Sequence, residues 1–377
     1  MKFRRKLFLA TAVLSAVAAM ISCKKDEETG TSQPSLDNVP RFEVDSYVKC
    51  GTKVKLTPTK VTNPTGAEVK YKWSITRGSD TVMSSRESEE DDGMSLEFVF
   101  EGAVAKDTLC NFIITCAAEA TGYYGTSFSK VVTTVSEESL VSEGDAPELA
   151  YDITTGTVTA DDGKTAYGTI KAGGLEWLAE NIHCSGTAGA VTGVALEEAE
   201  DASDIFGRFY TWDEAQTACA SLGTEWRVPA ISDWDSFLTM LMDGEGDSQS
   251  DAEDSPVVWE GVTGKLMTNA FFNGVRMWEY WPDVDITNET GFGIIPTGLA
   301  TVVDNSSLTD GASGNDTDRI YSFTRFGEYA GFWVGEEYPQ KENSAYYVYF
   351  WDENPNMRLN YVDKGSLALP VRCVRDI

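Results

Sequence analysis

Two segments of the chain combine flat aromatic rings with acidic, amide and basic side chains. One is residues 277–283 (MWEYWPD) and the other is residues 346–361 (YYVYFWDENPNMRLNY). Sugars place their C–H faces on aromatic rings and exchange hydrogen bonds with polar side chains, so this mixture predicts a glycan-binding site. The candidate glycan-binding residues are Trp278, Tyr280, Trp281, Asp283, Tyr349, Trp351, Asp352, Asn354 and Arg358.

The second of these segments alternates as a β-strand would. Side chains two residues apart lie on the same face of a strand, so one face carries Tyr347, Tyr349 and Trp351. The opposite face carries Tyr346, Val348 and Phe350. One face can be core while the other is exposed, and the sequence alone does not decide which.

Catalytic chemistry has little support in the sequence. The chain has a single histidine, His183, and lacks a nucleophile elbow, a phosphate-binding glycine loop and a metalloprotease helix. Sixty acidic residues make chance carboxylate pairs inevitable, so no acid–base pair can be assigned from sequence. The acidic segment 243–254 lacks the ligand spacing of an EF-hand loop. We therefore predict a protein that is not an enzyme and holds no metal and no cofactor.

The negative net charge of the chain argues against nucleic acid as a partner. Asp and Glu total 60 against 30 Lys and Arg, a formal net charge of −30. Such a surface repels phosphate backbones, and no cluster of basic residues follows Lys25. We expect no nucleic-acid partner.

The N-terminus predicts export and a lipid anchor. A basic stretch at residues 1–6 precedes an apolar run at residues 7–21, which is too short to span a membrane comfortably. The tetrapeptide at residues 20–23 (MISC) resembles a bacterial lipobox, so residues 1–23 are predicted to be a lipoprotein signal peptide with Cys23 lipidated. An ordinary secretory signal is the alternative. Residues 24–40 are predicted to be a flexible tether, and their acidic start resembles the surface-export signal of Bacteroidetes lipoproteins.

Residues 41–135 show strand-like alternation rather than helical periodicity. Examples are residues 53–57, 69–75 and 94–100, which are separated by turn-forming clusters. Short strands at this spacing predict an all-β sandwich, and the segment resembles the Ig-like or PKD-like modules of surface lipoproteins. Trp73 is predicted to be core, and the domain to act as a spacer.

An acidic, Ser- and Gly-rich linker is predicted at residues 136–147, followed by a second domain at residues 148–377. That domain should open with a hairpin whose turn is Asp161–Lys164. Helices are predicted around residues 211–219 and from Ser232, a plausible N-cap residue. Six cysteines follow Cys23, and an exported protein can form disulfides, although spacing alone leaves their connectivity open.

Several pieces of the second domain carry a family resemblance. They occur in order as residues 177–181 (WLAEN), 207–212 (GRFYTW), 226–229 (WRVP) with Trp234, 288–292 (NETGF), 332–337 (FWVGEE) and 371–376 (VRCVRD). Together they resemble the Fibrobacter succinogenes major paralogous domain, a family common in surface lipoproteins of Fibrobacteres and Bacteroidetes. Four tryptophans within these pieces are predicted to be core: Trp177, Trp226, Trp234 and Trp333.

Two of the pieces also look like the formylglycine-generating group, which implies an α+β, C-type-lectin-like fold by analogy. The family pattern implies a disulfide between Cys219 and Cys373. The formylglycine-generating enzymes use a cysteine pair near the C-terminus, whereas Cys373 has no second cysteine nearby, so that activity is not carried over.

Taken together, the sequence predicts a lipid-anchored protein on the outer face of the outer membrane. We expect it to bind a polysaccharide or oligosaccharide for a nutrient-uptake system, with an outer-membrane glycan transporter as a further partner. Two alternatives remain: an adhesin or surface-assembly protein that binds proteins, and a carboxylate-dependent glycan hydrolase.

Overall fold

The structure is a computed structural model that describes residues 33–78, 80–86, 94–101, 111–143, 147–160, 163, 165–183, 193–242, 257–304 and 319–377. The predicted signal peptide with Cys23, the first part of the tether and the acidic segment 243–254 lie outside the described residues, as do Cys110 and Cys184. Within the described ranges, no helix is both long and apolar enough to cross a membrane.

The first domain consists of two β-sheets that share one core. Its strands are β1 (Tyr47–Lys49), β2 (Lys53–Leu56), β3 (Val69–Arg77), β4 (Asp80–Arg86), β5 (Leu96–Val99), β6 (Asn111–Ala120) and β7 (Thr126–Val135). One sheet has the order β1-β7-β6-β3-β4, and the other pairs β2 with β5. Leu56 and Leu96 of the small sheet pack in the same cluster as Trp73 of the large one. Trp73 is fully buried, which confirms its predicted core position.

In the rest of the chain, strands are also the main type of regular structure. The strands are β8 (Leu140–Ser142), β9 (Thr154–Thr159), β10 (Ala166–Ala172), β11 (Leu175–Leu178), β12 (Val194–Ala195), β13 (Arg208–Phe209), β14 (Val258–Trp259), β15 (Ala270–Phe272), β16 (Val275–Arg276), β17 (Leu299–Asp304), β18 (Arg319–Thr324), β19 (Tyr329–Glu337), β20 (Ser344–Trp351), β21 (Met357–Asp363), β22 (Leu367–Ala368) and β23 (Val374–Asp376). The helices are α1 (Ser203–Phe206), α2 (Trp212–Ala220), α3 (Ile231–Leu241) and α4 (Thr263–Leu266), with 3₁₀ turns at Leu196–Glu198 and Glu200–Ala202.

The turn and capping residues in the sequence predict most of these elements at the correct positions. The hairpin forms as β9 and β10, with Val158 opposite Tyr167. Helix α2 follows Thr211, whose backbone N–H donates to the Glu214 carboxylate at 2.8 Å. Helix α3 begins earlier than expected, and its N-cap residue is Ala230 rather than Ser232. The Asp233 side chain accepts the Ala230 N–H at 2.7 Å, so the capping oxygen comes from the third helical residue.

Four strands form the sheet that carries the candidate site, in the order β14-β21-β20-β19. One side of this sheet joins helix α3 in the main core, where Phe332 and Phe350 share a cluster with Trp177 and Trp234. The four tryptophans predicted to be core are all buried; they are Trp177, Trp226, Trp234 and Trp333.

The segment between the domains is folded onto the second domain. Within the predicted linker, β8 pairs antiparallel with β15. Tyr47 of the first domain packs edge-on against Phe206 and Phe272, with ring centroids 6.1 and 6.2 Å apart. The Asn273 side chain donates to the Thr134 carbonyl at 3.0 Å. Residues 136–143 are therefore part of a packed junction and not a loose connection.

Candidate functional site

The two faces of the β19–β20–β21 sheet have different surroundings. Opposite residues in the ladder share a face, so Tyr329 lies beside Trp351, and Gly331 lies beside Tyr349. Tyr349 is in turn opposite Arg358. We call the partly open portion of this side the ring face and define it by Tyr329, Gly331, Tyr347, Tyr349, Trp351, Arg358 and Asn360. Trp333, opposite Tyr347, lies on the same side but is fully buried in a second core cluster. The other side, the core face, includes Val348 and Phe350, which are fully buried.

The rings of the ring face contact one another. The Tyr349 ring lies 5.8 Å from Tyr329, 5.4 Å from Tyr347 and 5.8 Å from Trp351, measured between centroids. Gly331 makes this arrangement possible, since a Cβ at that position would lie 2.9 Å from Cε1 of Tyr329. Tyr329 is buried, whereas Tyr347, Tyr349 and Trp351 are half-buried. The face is therefore a row of supported rings that remains partly open to solvent.

Burial raises the pKa of two phenols of this face, Tyr347 and Tyr329, further above physiological pH. It raises the pKa of Tyr347 to about 12, and the neighbouring Tyr349 raises it further. Burial, with smaller contributions from Tyr347 and Tyr349, also raises the pKa of Tyr329. At physiological pH these hydroxyl groups are neutral and can both donate and accept hydrogen bonds.

Arg358 supplies the positive charge of the ring face. Its guanidinium carbon lies 5.2 Å from the Trp351 ring centroid, a cation–π distance. Its Nε is buried and has no hydrogen-bond acceptor among the described residues. No carboxylate of the described residues forms an ion pair with it. Arg325 lies near the other end of the row, 6.0 Å from the Tyr329 centroid.

The segment at residues 277–283 reaches the same end of the sheet but from the core side. Trp278 is fully buried, stacks on Phe350 at 5.7 Å and donates its indole N–H to the Ile294 carbonyl at 3.1 Å. The prediction that Trp278 contacts a glycan is therefore wrong, because the indole fills the main core. Trp281 is half-buried against that core, whereas Tyr280 is 70% exposed, and Asp283 is exposed.

Asp352 follows Trp351 but lies on the core side with Trp281. It is only 6% exposed. Burial raises its pKa to about 6, and the nearby Glu279 and Glu328 carboxylates also raise it. The nearby Trp281 indole N–H lowers this pKa. Asp352 is therefore not on the ring face, although its sequence neighbour Trp351 is.

Asn354 has a local structural role. Its side-chain oxygen accepts the Asn356 N–H at 2.9 Å, and its carbonyl accepts the Thr263 hydroxyl at 3.0 Å. These bonds shape the connection between β20 and β21 and engage the side-chain oxygen of Asn354.

Of the nine predicted glycan-binding residues, the structure brings three together on the ring face: Tyr349, Trp351 and Arg358. It adds Tyr329, which the predicted set omitted, at the start of β19. The only sequence signal for Tyr329 was the alternation Tyr329, Gly331, Trp333. Among the described residues, no three His, Cys, Asp or Glu side chains are placed to hold a metal ion.

The cysteines divide into a bonded pair and two thiols. Cys219 and Cys373 form a disulfide with a Cα–Cα distance of 5.6 Å, the pair that the family resemblance implied. It links the end of α2 to the segment before β23. Cys50 and Cys116 are free thiols, and burial raises the pKa of Cys116 to about 12.

Comparison with known proteins returns one family. The model of the Fibrobacter succinogenes major domain matches residues 170–375, more than half of the chain. This range includes the whole ring face and the disulfide. No curated protein and no solved structure gives a significant match.

Proposed function

The chain belongs to the Fibrobacter succinogenes major domain family, and we propose that it is a surface-anchored lipoprotein that binds glycan on the ring face without transforming it. The observation that carries the proposal is the row of contacting rings, Tyr329, Tyr349 and Trp351, bordered by Arg358 on a half-open sheet. Rings held in place by neighbours lose little conformational freedom when a ligand binds, so the cost of binding is reduced.

The chemistry of the face suits a sugar. Aromatic surface can contact the C–H groups of a pyranose, while phenol, amide and guanidinium groups can pair with its hydroxyls. A purely apolar ligand would leave the Arg358 guanidinium without hydrogen bonds, which disfavours such a ligand.

The overall organisation fits presentation of this face away from a membrane. We propose that the first domain is an Ig-like or PKD-like sandwich, which is supported by its two sheets and by Trp73 lying opposite Cys116. We propose a C-type-lectin-like fold for the second domain, supported by two main helices, antiparallel sheets and the Cys219–Cys373 disulfide. The packed junction would hold the two domains in one orientation.

The predicted signal and Cys23 support lipid anchoring at the outer membrane, with the protein facing outwards beside a glycan transporter. Protease treatment of intact cells would test this orientation, because an outward-facing protein is cleaved while periplasmic proteins are protected.

Calorimetry of the folded protein with a panel of plant, fungal and host polysaccharides tests binding. Trp351→Ala should weaken binding by about 1 to 3 kcal/mol, the value of a buried aromatic contact, without unfolding the domain. Tyr124→Ala is the matched control, because Tyr124 is an exposed ring in the first domain.

Three outcomes would contradict the proposal. Unchanged affinity in Trp351→Ala would remove the ring face from the site. The absence of binding to any glycan, together with a stable protein partner, would favour the adhesin alternative. Release of new reducing ends from a glycan would favour the hydrolase alternative, for which the raised pKa of Asp352 is the relevant observation.

A further inference from the structure

The ring face differs in charge from the rest of this acidic chain. None of the seven residues that define the ring face carries a carboxylate, although the chain has twice as many acidic as basic residues. Glu337, at the far end of β19, is paired with Lys364 at 2.5 Å. The acidic groups Glu279 and Glu328 lie near Asp352, which is on the core side.

Four arginines elsewhere in the second domain have a carboxylate partner, in the pairs Arg208–Glu200, Arg227–Asp233, Arg319–Glu214 and Arg375–Glu176. Arg358 has none among the described residues, and its buried Nε also lacks an acceptor. Arg276 is half-buried like Arg358, and its buried Nε also has no acceptor among the described residues, but it is not on the ring face. A partly desolvated guanidinium without an anion is unfavourable, and an acceptor supplied by a ligand would remove that penalty.

We propose that the glycan bound on the ring face carries a carboxylate, as uronic and sialic acids do, and that the Arg358 guanidinium binds this carboxylate. The inference rests on the proposed glycan-binding function and names the ligand class. A guanidinium matches a carboxylate in a two-bond geometry, and the protonated phenols nearby can donate further hydrogen bonds to it. The Trp351 ring packs against the guanidinium and helps to hold it in place.

The test compares acidic polysaccharides with their own neutral forms. Polygalacturonate, alginate, hyaluronan and polysialic acid are each titrated by calorimetry beside a methyl-esterified or carboxyl-reduced preparation of the same chain length. We expect at least one acidic polymer to bind about tenfold or more tightly than its neutral form, since charge-assisted hydrogen bonds exceed neutral ones in strength.

Substitution of Arg358 tests whether this residue causes the preference for the acidic polymer over its neutral form. Arg358→Gln should abolish the difference between the two forms, and Arg358→Lys should keep only part of it because an ammonium lacks the two-bond geometry. Arg77→Gln is the matched control: Arg77 is also half-buried, with its guanidinium 5.8 Å from the Phe112 ring centroid, but it lies in the first domain. Thermal unfolding establishes that each variant is folded. If Arg358→Gln is unfolded, Arg358→Lys is used for the test instead.

The outcomes separate this inference from the function on which it rests. Equal affinity for acidic and neutral forms, or an unchanged preference in Arg358→Gln, would overturn the carboxylate while leaving glycan binding in place. A preference for sulfated over carboxylated polymers would also overturn it. If no polymer of either kind binds, the proposed function itself fails.

Discussion

The two faces of the β19–β20–β21 sheet are built from alternate residues of the same strands, yet they differ in how far they are buried. The core face carries Phe332, Val348 and Phe350, which are sealed against helix α3 and Trp278. The ring face carries Tyr349, Trp351 and Arg358, which remain half-exposed. Both faces are rich in aromatic residues, so hydrophobicity does not separate them. They differ in charge as well as in exposure, because the ring face carries the Arg358 guanidinium, whereas Phe332, Val348 and Phe350 are apolar.

The comparison shows that an aromatic residue near other aromatic residues is not by itself evidence of a binding site. Trp278 and Trp351 both lie in segments that mix rings with acids, and only Trp351 is accessible. The distinguishing feature is a polar partner held on the ring: Arg358 lies over Trp351, whereas Trp278 stacks on Phe350.

The largest expected difference between the faces is in stability. Phe350→Ala should lower the free energy of unfolding by about 3 to 5 kcal/mol, because it opens a cavity in the main core. Tyr349→Ala, one residue away on the ring face, should cost about 1 to 2 kcal/mol. Urea denaturation of both variants checks this order. Equal costs would mean that the ring face is as tightly packed as the core and would remove the contrast.

Asp352 should make the core side sensitive to pH. Its pKa in the folded protein is about 6, above its ordinary value of 3.8, so between these values the folded state holds more protons than the unfolded state. Stability should therefore fall as pH rises from about 4 to about 6 and stay lower above that range. Asp352→Asn should remove this fall and gain up to about 3 kcal/mol at neutral pH.

Free energies of unfolding at several pH values between 4 and 8 test the assignment. Asp283→Asn is the control, since Asp283 is an exposed carboxylate two residues after Trp281. If the pH profiles of Asp352→Asn and the unmodified protein run parallel, the burial assigned to this carboxyl is wrong.

The smallest effect concerns the fit of the rings. Gly331→Ala would place a Cβ 2.9 Å from the Tyr329 ring, which must then move. We expect a loss of about 1 kcal/mol in stability, typical of mild overpacking, and a few-fold weaker glycan binding. Gly365→Ala is the control, since its Cβ would meet only ordinary contacts at 3.6 Å. Unchanged binding in Gly331→Ala would show that the Tyr329 position does not matter to the ligand.

Much of the local structure could be read from the sequence. The β-rich first domain, the β9–β10 hairpin, both main helices and the buried family tryptophans follow from alternation, turn residues and motif order. The start of α3 was misplaced because Asp233 caps the helix from within its first turn, and the serine before it looked like the better cap. Strand β8, within the predicted linker, was not predicted, since three residues are too few to show an alternating pattern.

The candidate site could be predicted only in part. The alternation of residues 346–351 separated the two faces correctly, as the register of β20 shows. It could not tell that Trp278 would be core, because the partner that buries it, Phe350, is 72 residues away in the chain and belongs to the other candidate segment.

The sequence by itself determined the family, the alternation of side chains along each strand and the excess of negative charge. These depend on residue types and their spacing within short stretches. Only the tertiary structure decided which face of the sheet is covered, that Asp352 lies on the opposite side from its neighbour Trp351, and that Arg358 lacks a carboxylate partner among the described residues. Burial and pairing depend on elements far apart in the chain, and no local pattern contains the distances between them.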